Sequence, residues 1–319
     1  MPWRHGQLPR DQQVFLDHVG FFVPDIEAVG RRLERIGFNP QPVSVHYDGG
    51  AGGSRVRSGT ANRLVTFETG YIEVLGKVSD TALGRELEAA LSRYEGVHLI
   101  ALTHPDVTGR AAVFEASRIP MRPTVALRRP VPLPEGEAEV RATVARCVPG
   151  VMPEGRVQML THHTPELIWR AGFTAHPNRV NALHELLVVS ATPDEAARRH
   201  QTFSGCTVSA AGGISHVDFD RGRLSFVAPD QAARVLPGLD VPDLPFCAAV
   251  VLGCADLDAA RSVLAGNGVL PLADRPDRLV IGPGEGLGAY LVLLPERDLA
   301  PDEARNKDIW PRMAEARGL

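Results

Sequence analysis

Short apolar runs recur along the chain. Each is followed by a turn with Asp, a stretch with apolar residues three and four apart, and further short strands. In the first copy, 15–23 (FLDHVGFFV) reads as a buried strand. Pro24-Asp25 starts a helix whose apolar face is Ile26, Val29, Leu33 and Ile36, and Gly37 ends it. Strands are predicted near 42–47, 63–68 and 71–75, the last two joined by a tight Thr69-Gly70 turn. The second copy opens with 96–102, starts its helix at Pro105-Asp106, carries a polar insertion over 128–152, and closes with strands at 156–162 and 166–169. The third opens with 182–189. Its helix has Thr192 as N-cap, Pro193 at the first helical position and Glu195 closing a capping box, and strands follow at 213–219 and 223–227. The fourth opens with 245–251, starts its helix at Asp256-Leu257-Asp258, and ends with strands at 278–281 and 289–294.

Each copy reads βαβββ, so the expected fold class is α+β. One such unit covers a single face of its sheet with its helix and must bury the other face against a second unit. Four modules then pair into two domains, 1–175 and 176–319, joined near 176–181, with a charged tail after Pro295. A length of 319 residues agrees with two domains. The 31 Gly and 26 Pro are the punctuation that such repetition needs.

Charge and composition narrow the partners. A net charge of −4 gives no support to a nucleic-acid or anionic-membrane partner. Aromatic residues at 6% are too few for a base-stacking platform. The polar start MPWRHGQLPRDQQ lacks an apolar export region, and the longest apolar runs are about half the roughly 20 residues of a spanning helix. The expectation is a cytoplasmic monomer or homodimer acting on a small molecule. Cys147, Cys206, Cys247 and Cys254 form no CxxC pair and read as free thiols.

A βαβββ tandem with His on a first strand and Glu on a last strand resembles the vicinal oxygen chelate superfamily, and within it the glyoxalase-like domain proteins. The segments that carry the likeness are 16–21 (LDHVGF), 59–63 (GTANR), 70–73 (GYIE) and 161–169 (THHTPELIW). The resemblance implies paired modules curled into a cup, with metal ligands from first and last strands. The first-strand positions are His18, His98, His184 and Cys247. The last-strand positions are Glu73, Glu166 and apolar or small stretches near Ser225 and Leu291. The implied metal set is therefore His18, His98, Glu166 and Glu73. It suits a divalent ion such as Zn, Fe(II), Mn, Ni or Co acting as a Lewis acid on an enediolate. His184, without a partner carboxylate, reads as structural.

Other candidates follow from position. Glu73 or Glu166 is a candidate base if it leaves the metal. One of His162 and His163 faces inward on period-two geometry and is an acid–base or ligand-orienting candidate. Asn62 and Arg63 lead into a strand beside the site. Arg63 and Arg156 are either carboxylate anchors or surface ion-pair partners. The Gly-rich loop 48–54 reads as a lid rather than a phosphate cradle. The function implied is a metal-dependent lyase or isomerase. One alternative is an Fe(II) dioxygenase of the extradiol or 2-oxo-acid type, although those enzymes take their ligands from the C-terminal pair of modules. The other is a metal-free binding or resistance protein.

Overall fold

The computed structural model describes residues 7–49, 55–133, 136–296 and 309–310. The first module is β1 (Phe15–Phe22), α1 (Val29–Arg35), β2 (Ser44–Gly49), β3 (Arg55–Thr66) and β4 (Tyr71–Lys77). A spacer helix α2 (Ala82–Leu91) leads to the second: β5 (Gly96–Thr103), α3 (Ala111–Ser117), β6 (Val125–Leu133), β7 (Gly136–Arg146) and β8 (Arg156–His162). The third is β9 (Val180–Val189), α4 (Pro193–Ser204), β10 (Thr207–Ala211), β11 (Ile214–Asp218) and β12 (Arg223–Val227). After α5 (Pro229–Val235) comes the fourth: β13 (Phe246–Cys254), α6 (Leu257–Gly266), β14 (Ala273–Arg275), β15 (Arg278–Ile281) and β16 (Tyr290–Pro295). The α+β architecture and the βαβββ order thus match the hydrophobic pattern.

Strands of the first two modules run in the order β1-β4-β3-β2-β6-β7-β8-β5, and β5 pairs back onto β1, so eight strands close into a barrel. Its seam is thin: among the described residues β2 and β6 share one register pair, Tyr47 with Arg128. The last two modules join through the antiparallel β9–β13 pair and connect to the barrel where Cys247 opposes Val97. β1, β5 and β13 are buried at every position. That is why they read as unbroken apolar runs instead of an alternation.

The helix starts follow their turn chemistry. Asp25 Oδ1 accepts from the Glu27 and Ala28 N–H groups, and Asp256 Oδ1 from those of Asp258 and Ala259. Thr192 stands at the N-cap of α4 but its side chain caps nothing, so the expected capping box does not form. Instead Asp194 accepts from the Ser215 hydroxyl. Gly70 has φ +71° in the β3–β4 turn, and a Cβ there would lie 2.8 Å from that of Leu183, so the turn needs glycine twice over.

Three sequence expectations are corrected. The polar insertion is the β6–β7 hairpin, a barrel wall with Val140, Ala142 and Val144 buried between more exposed neighbours. Residues 166–169 are not a strand, because Pro165 opens a 3₁₀ turn, Pro165–Leu167. β3 begins at Arg55, so Thr60 and Asn62 lie within a strand. Of the presumed lid, Asp48 and Gly49 end β2, and residues 50–54 lie outside the described residues. All four cysteines are free. Among the described residues, no helix is long and apolar enough to cross a membrane.

Candidate functional site

The inner wall of the barrel surrounds a cavity of ≈ 80 Å³ whose lining includes His18, Asn62, Glu73, Arg129, Arg156, Gln158 and His162. A β-bulge assembles its polar centre. Across the β1–β5 pair the register skips Asp17, passing from Leu16–Leu102 to His18–Ala101. The extra residue re-aims its side chain, so two successive residues serve one site. Asp17 is fully buried and holds two imidazoles: His18 Nδ1 lies 2.7 Å from Oδ2, and His162 Nε2 lies 3.0 Å from Oδ1. With Nδ1–H donated to Asp17, the other His18 nitrogen faces Glu73. That Nε2 has no hydrogen-bond partner, and Glu73 Oε2 lies 3.5 Å away. Asn62 Nδ2 donates to the other Glu73 oxygen at 2.5 Å, and the His18 ring stacks on Tyr71 at 4.3 Å.

The charges of this centre support one another. Burial disfavours the Asp17 carboxylate, but attraction to His162 and the hydrogen bonds from His162 and His18 outweigh it, holding Asp17 well below the usual carboxylate range. Burial likewise disfavours charged His18, yet the Asp17 and Glu73 contacts raise it to about 9. Glu73 resists its burial through His18 and falls to about 2. At neutral pH the site therefore holds protonated His18 between two carboxylates. Half-buried His46 is pushed down to about 4, first by burial and then by Arg129 and Arg146, against the pull of Glu73.

Strand register decides which expected residues meet. Val19 opposes Ile100 at the centre of β1–β5, so His18 has Leu99 as its counterpart in the second module. Gly20 pairs with Glu73 and Ala101 with Gln158, which makes Gln158 the counterpart of Glu73. His98, like Asp17, is skipped in the β1–β5 register, which passes from Gly20–Leu99 to Phe21–Val97, and it does not line the cavity. It stacks on Tyr94 at 4.1 Å with Nε2 2.8 Å from the Tyr94 carbonyl. Glu166 is exposed on the 3₁₀ turn. The structure thus brings together His18, Glu73, Asn62, Arg156 and His162, and leaves out His98, Glu166, His163 and Arg63. His163 is exposed and lies 2.7 Å from the Thr143 hydroxyl. Arg63 packs outside the barrel against Gly30 of α1 and donates to the Gln41 carbonyl. Sequence reasoning missed Asp17, Tyr71, His46, Arg129, Arg146 and Gln158.

In the third module the counterpart of His18 is Glu185, one residue beyond His184, and that of Glu73 is Ser225. Glu185 accepts from the Ser225 hydroxyl and, at 2.5 Å, from the Trp310 indole N–H. In the fourth module the counterparts are Ala249 and Val292 rather than Cys247 and Leu291. Ile309, Trp310 and the apolar side of α5 join these strands in one apolar cluster.

The implied divalent ion does not fit these residues. His18 and Glu73 supply two donors, but their counterparts are a leucine and an amide. Among the described residues no three His, Cys, Asp or Glu side chains are grouped to hold a metal. Arg129 and Arg156 line the same cavity and oppose a dication. Zn²⁺ or Mn²⁺ is therefore expected not to raise the melting temperature. A rise that His18→Ala abolishes would contradict this.

Comparison with known proteins places the fold. A model of the glyoxalase-like domain matches residues 16–203, more than half of the chain. No curated protein matches the chain. Among solved structures, a hypothetical protein from Staphylococcus aureus is 10% identical, covering 88% of this chain and 99% of its own, with a TM-score of 0.60. A mutant 4-hydroxymandelate synthase from Streptomyces coelicolor is 16% identical, covering 94% and 99%, with a TM-score of 0.51. A catechol 2,3-dioxygenase is 11% identical, covering 89% and 88%, with a TM-score of 0.51. At these identities the likeness is one of fold. The chain belongs to the glyoxalase-like domain family of the vicinal oxygen chelate superfamily.

Proposed function

We propose that the chain catalyses proton transfer in a small carboxylate, the chemistry of an isomerase or lyase, inside the barrel of the first two modules. The observation that carries this reading is His18: a buried cavity-lining imidazole fixed at Nδ1 by Asp17, whose other nitrogen has no hydrogen-bond partner and faces Glu73 across 3.5 Å. Glu73 takes the proton from the carbon next to a substrate carbonyl. The C–H electron pair becomes the enolate double bond, and the His18 Nε2–H stabilises or protonates the new oxyanion. Where the deprotonated carbon carries a hydroxyl, loss of that O–H proton and return of a proton to the former carbonyl carbon complete an isomerisation.

Arg129 supports an anionic substrate. It is 6% exposed, lines the cavity, and has no carboxylate within ion-pair distance among the described residues. Burying a guanidinium without a partner costs several kcal/mol, and a substrate carboxylate removes that cost when bound. Arg129→Met is expected to weaken carboxylate binding by roughly tenfold to a thousandfold, or about 1.4–4 kcal/mol, by calorimetry.

Two alternatives share the fold. A dioxygenase of the kind expected from the sequence takes two histidines from the C-terminal modules, where Glu185 and Ala249 stand instead. Passive binding is favoured by the loss of ligand residues at Leu99 and Gln158. Proton NMR in deuterated water separates catalysis from binding, applied to a panel of 2-oxo and 2-hydroxy acids. Catalysed exchange at the carbon next to the carboxylate or carbonyl is the expected result. Carboxylates that bind without exchange would establish the passive reading.

A further inference from the structure

The third and fourth modules repeat the strand order of the first two, β10-β11-β12-β9-β13-β16-β15-β14. Among the described residues β10 and β14 do not pair, so this second cup stays open along one side. Its inner face carries Glu185, Ser225, Ala249 and Val292, the counterparts of His18, Glu73, Leu99 and Gln158. Two residues further along the same strands stand Leu187, Val227, Val251 and Leu294, on the same face. All four belong to the apolar cluster that contains Trp310. The first cup thus encloses a cavity, and the second encloses an indole. Trp310 is 1% exposed, and its Nε1–H donates to Glu185 Oε1 at 2.5 Å.

Glu185 is a costly residue to bury among apolar side chains. It is fully buried, and its hydrogen bonds fall on one oxygen. The Ser225 hydroxyl, itself 2.6 Å from His216 Nδ1, donates to Oε1 as the indole does. Oε2 has no hydrogen-bond partner. A bare buried acceptor carries a desolvation cost that one more N–H would remove. An indole has a single N–H, so Trp310 answers half of the carboxyl group. A planar edge with two parallel N–H groups answers both oxygens at once.

We infer that the second cup is a binding site for a flat bicyclic ring with two adjacent N–H groups, held shut by Trp310. Glu185 takes the N–H pair on its two oxygens, and the ring takes the place of the indole between Leu187, Val251 and the apolar side of α5. Wild-type affinity is lowered by the fraction of molecules in which Trp310 stays in place. This site is separate from the cavity at His18 and Glu73 and does not depend on the chemistry proposed there.

Calorimetric titration of the full chain tests it with 2-aminobenzimidazole, which has two N–H groups on one edge, and indole, which has one. Trp310→Ala leaves a space of indole size. In that variant 2-aminobenzimidazole is expected to bind roughly tenfold or more tightly than indole, the effect of one added hydrogen bond to a carboxyl group. Wild type is expected to bind it about tenfold more weakly than the variant, with tryptophan emission moving to longer wavelength as Trp310 is displaced. Adding Glu185→Gln to the variant leaves one acceptor, and the preference for 2-aminobenzimidazole is expected to disappear. If Trp310→Ala does not fold, Trp310→Phe keeps a ring in the cup with no N–H on Glu185, and the same preference is expected. Equal affinity of the folded variant for the two rings would reduce the cup to an apolar gap and overturn the inference. Failure of the folded variant to bind either ring would overturn it as well.

Discussion

Glu73→Gln is expected to lower catalysed proton exchange by roughly 10²–10⁴-fold while carboxylate binding stays unchanged or tightens. The substitution keeps the shape of the side chain and an amide oxygen to accept from Asn62. It removes the lone pair that takes the substrate proton. It also removes a negative charge from a cavity that binds anions, so affinity has no reason to fall. Exchange rate and calorimetric affinity should therefore part company. Retention of exchange in this variant would move the base elsewhere, with His162 the next group on the same Asp17. The pH profile gives an independent check. His18 acts as a proton donor, and its raised value of about 9 sets the alkaline limit. Exchange should hold through neutral pH and fall as pH rises through that value. His18→Gln should remove that limb along with most of the rate.

Much of this site is legible from the chain, and the part that is not has two physical origins. His18 and Glu73 are legible because the family resemblance points to a first-strand His and a last-strand Glu, and the tight Gly70 turn fixes that last strand. Matching the second module to the first by residue type pairs His with His and Glu with Glu. Strand pairing follows register instead, and register is invisible in a run such as GVHLIALT that is buried at every position. No alternation marks which face is inward, so His98 and Leu99 cannot be told apart locally. Asp17 was hidden for a related reason. A bulge brings two neighbouring side chains to one place, which period-two reasoning forbids. The arginine wall was different. In β7 the alternation of Val140, Ala142 and Val144 with Glu139, Arg141 and Thr143 is plain. The Pro- and Gly-rich approach, 130–136 (PVPLPEG), makes it read as an insertion. Strand periodicity in that segment leads directly to Arg129 and Arg146.

Asp17→Asn is expected to destabilise the fold by about 3–5 kcal/mol, the usual effect of removing one member of a buried charged set. Asp17 is completely buried and answers both His18 and His162. An asparagine accepts at one atom only, and its amide N–H groups face imidazole N–H groups at the other. The loss should depend on pH in a stated sense. Asp17 and Glu73 are lowered in the folded state, so their contribution is present above the unfolded carboxylate range and disappears as pH falls through the folded values. His18 is raised, so its contribution is complete below its unfolded value near 6.5 and disappears as pH rises through about 9. All of these contributions are present together between about pH 5 and 6.5. The difference in melting temperature between wild type and Asp17→Asn should be greatest in that window and shrink toward both extremes. Chemical denaturation across the same range supplies the free energies. A penalty below about 1 kcal/mol, or one constant from pH 4 to 10, would show that the two histidines do not depend on Asp17. The proton donor proposed for the reaction would then lack the partner that keeps it charged. Stability and catalysis are thus joined at one carboxylate: the bulge that places Asp17 in the barrel also determines the charge that His18 carries when substrate arrives.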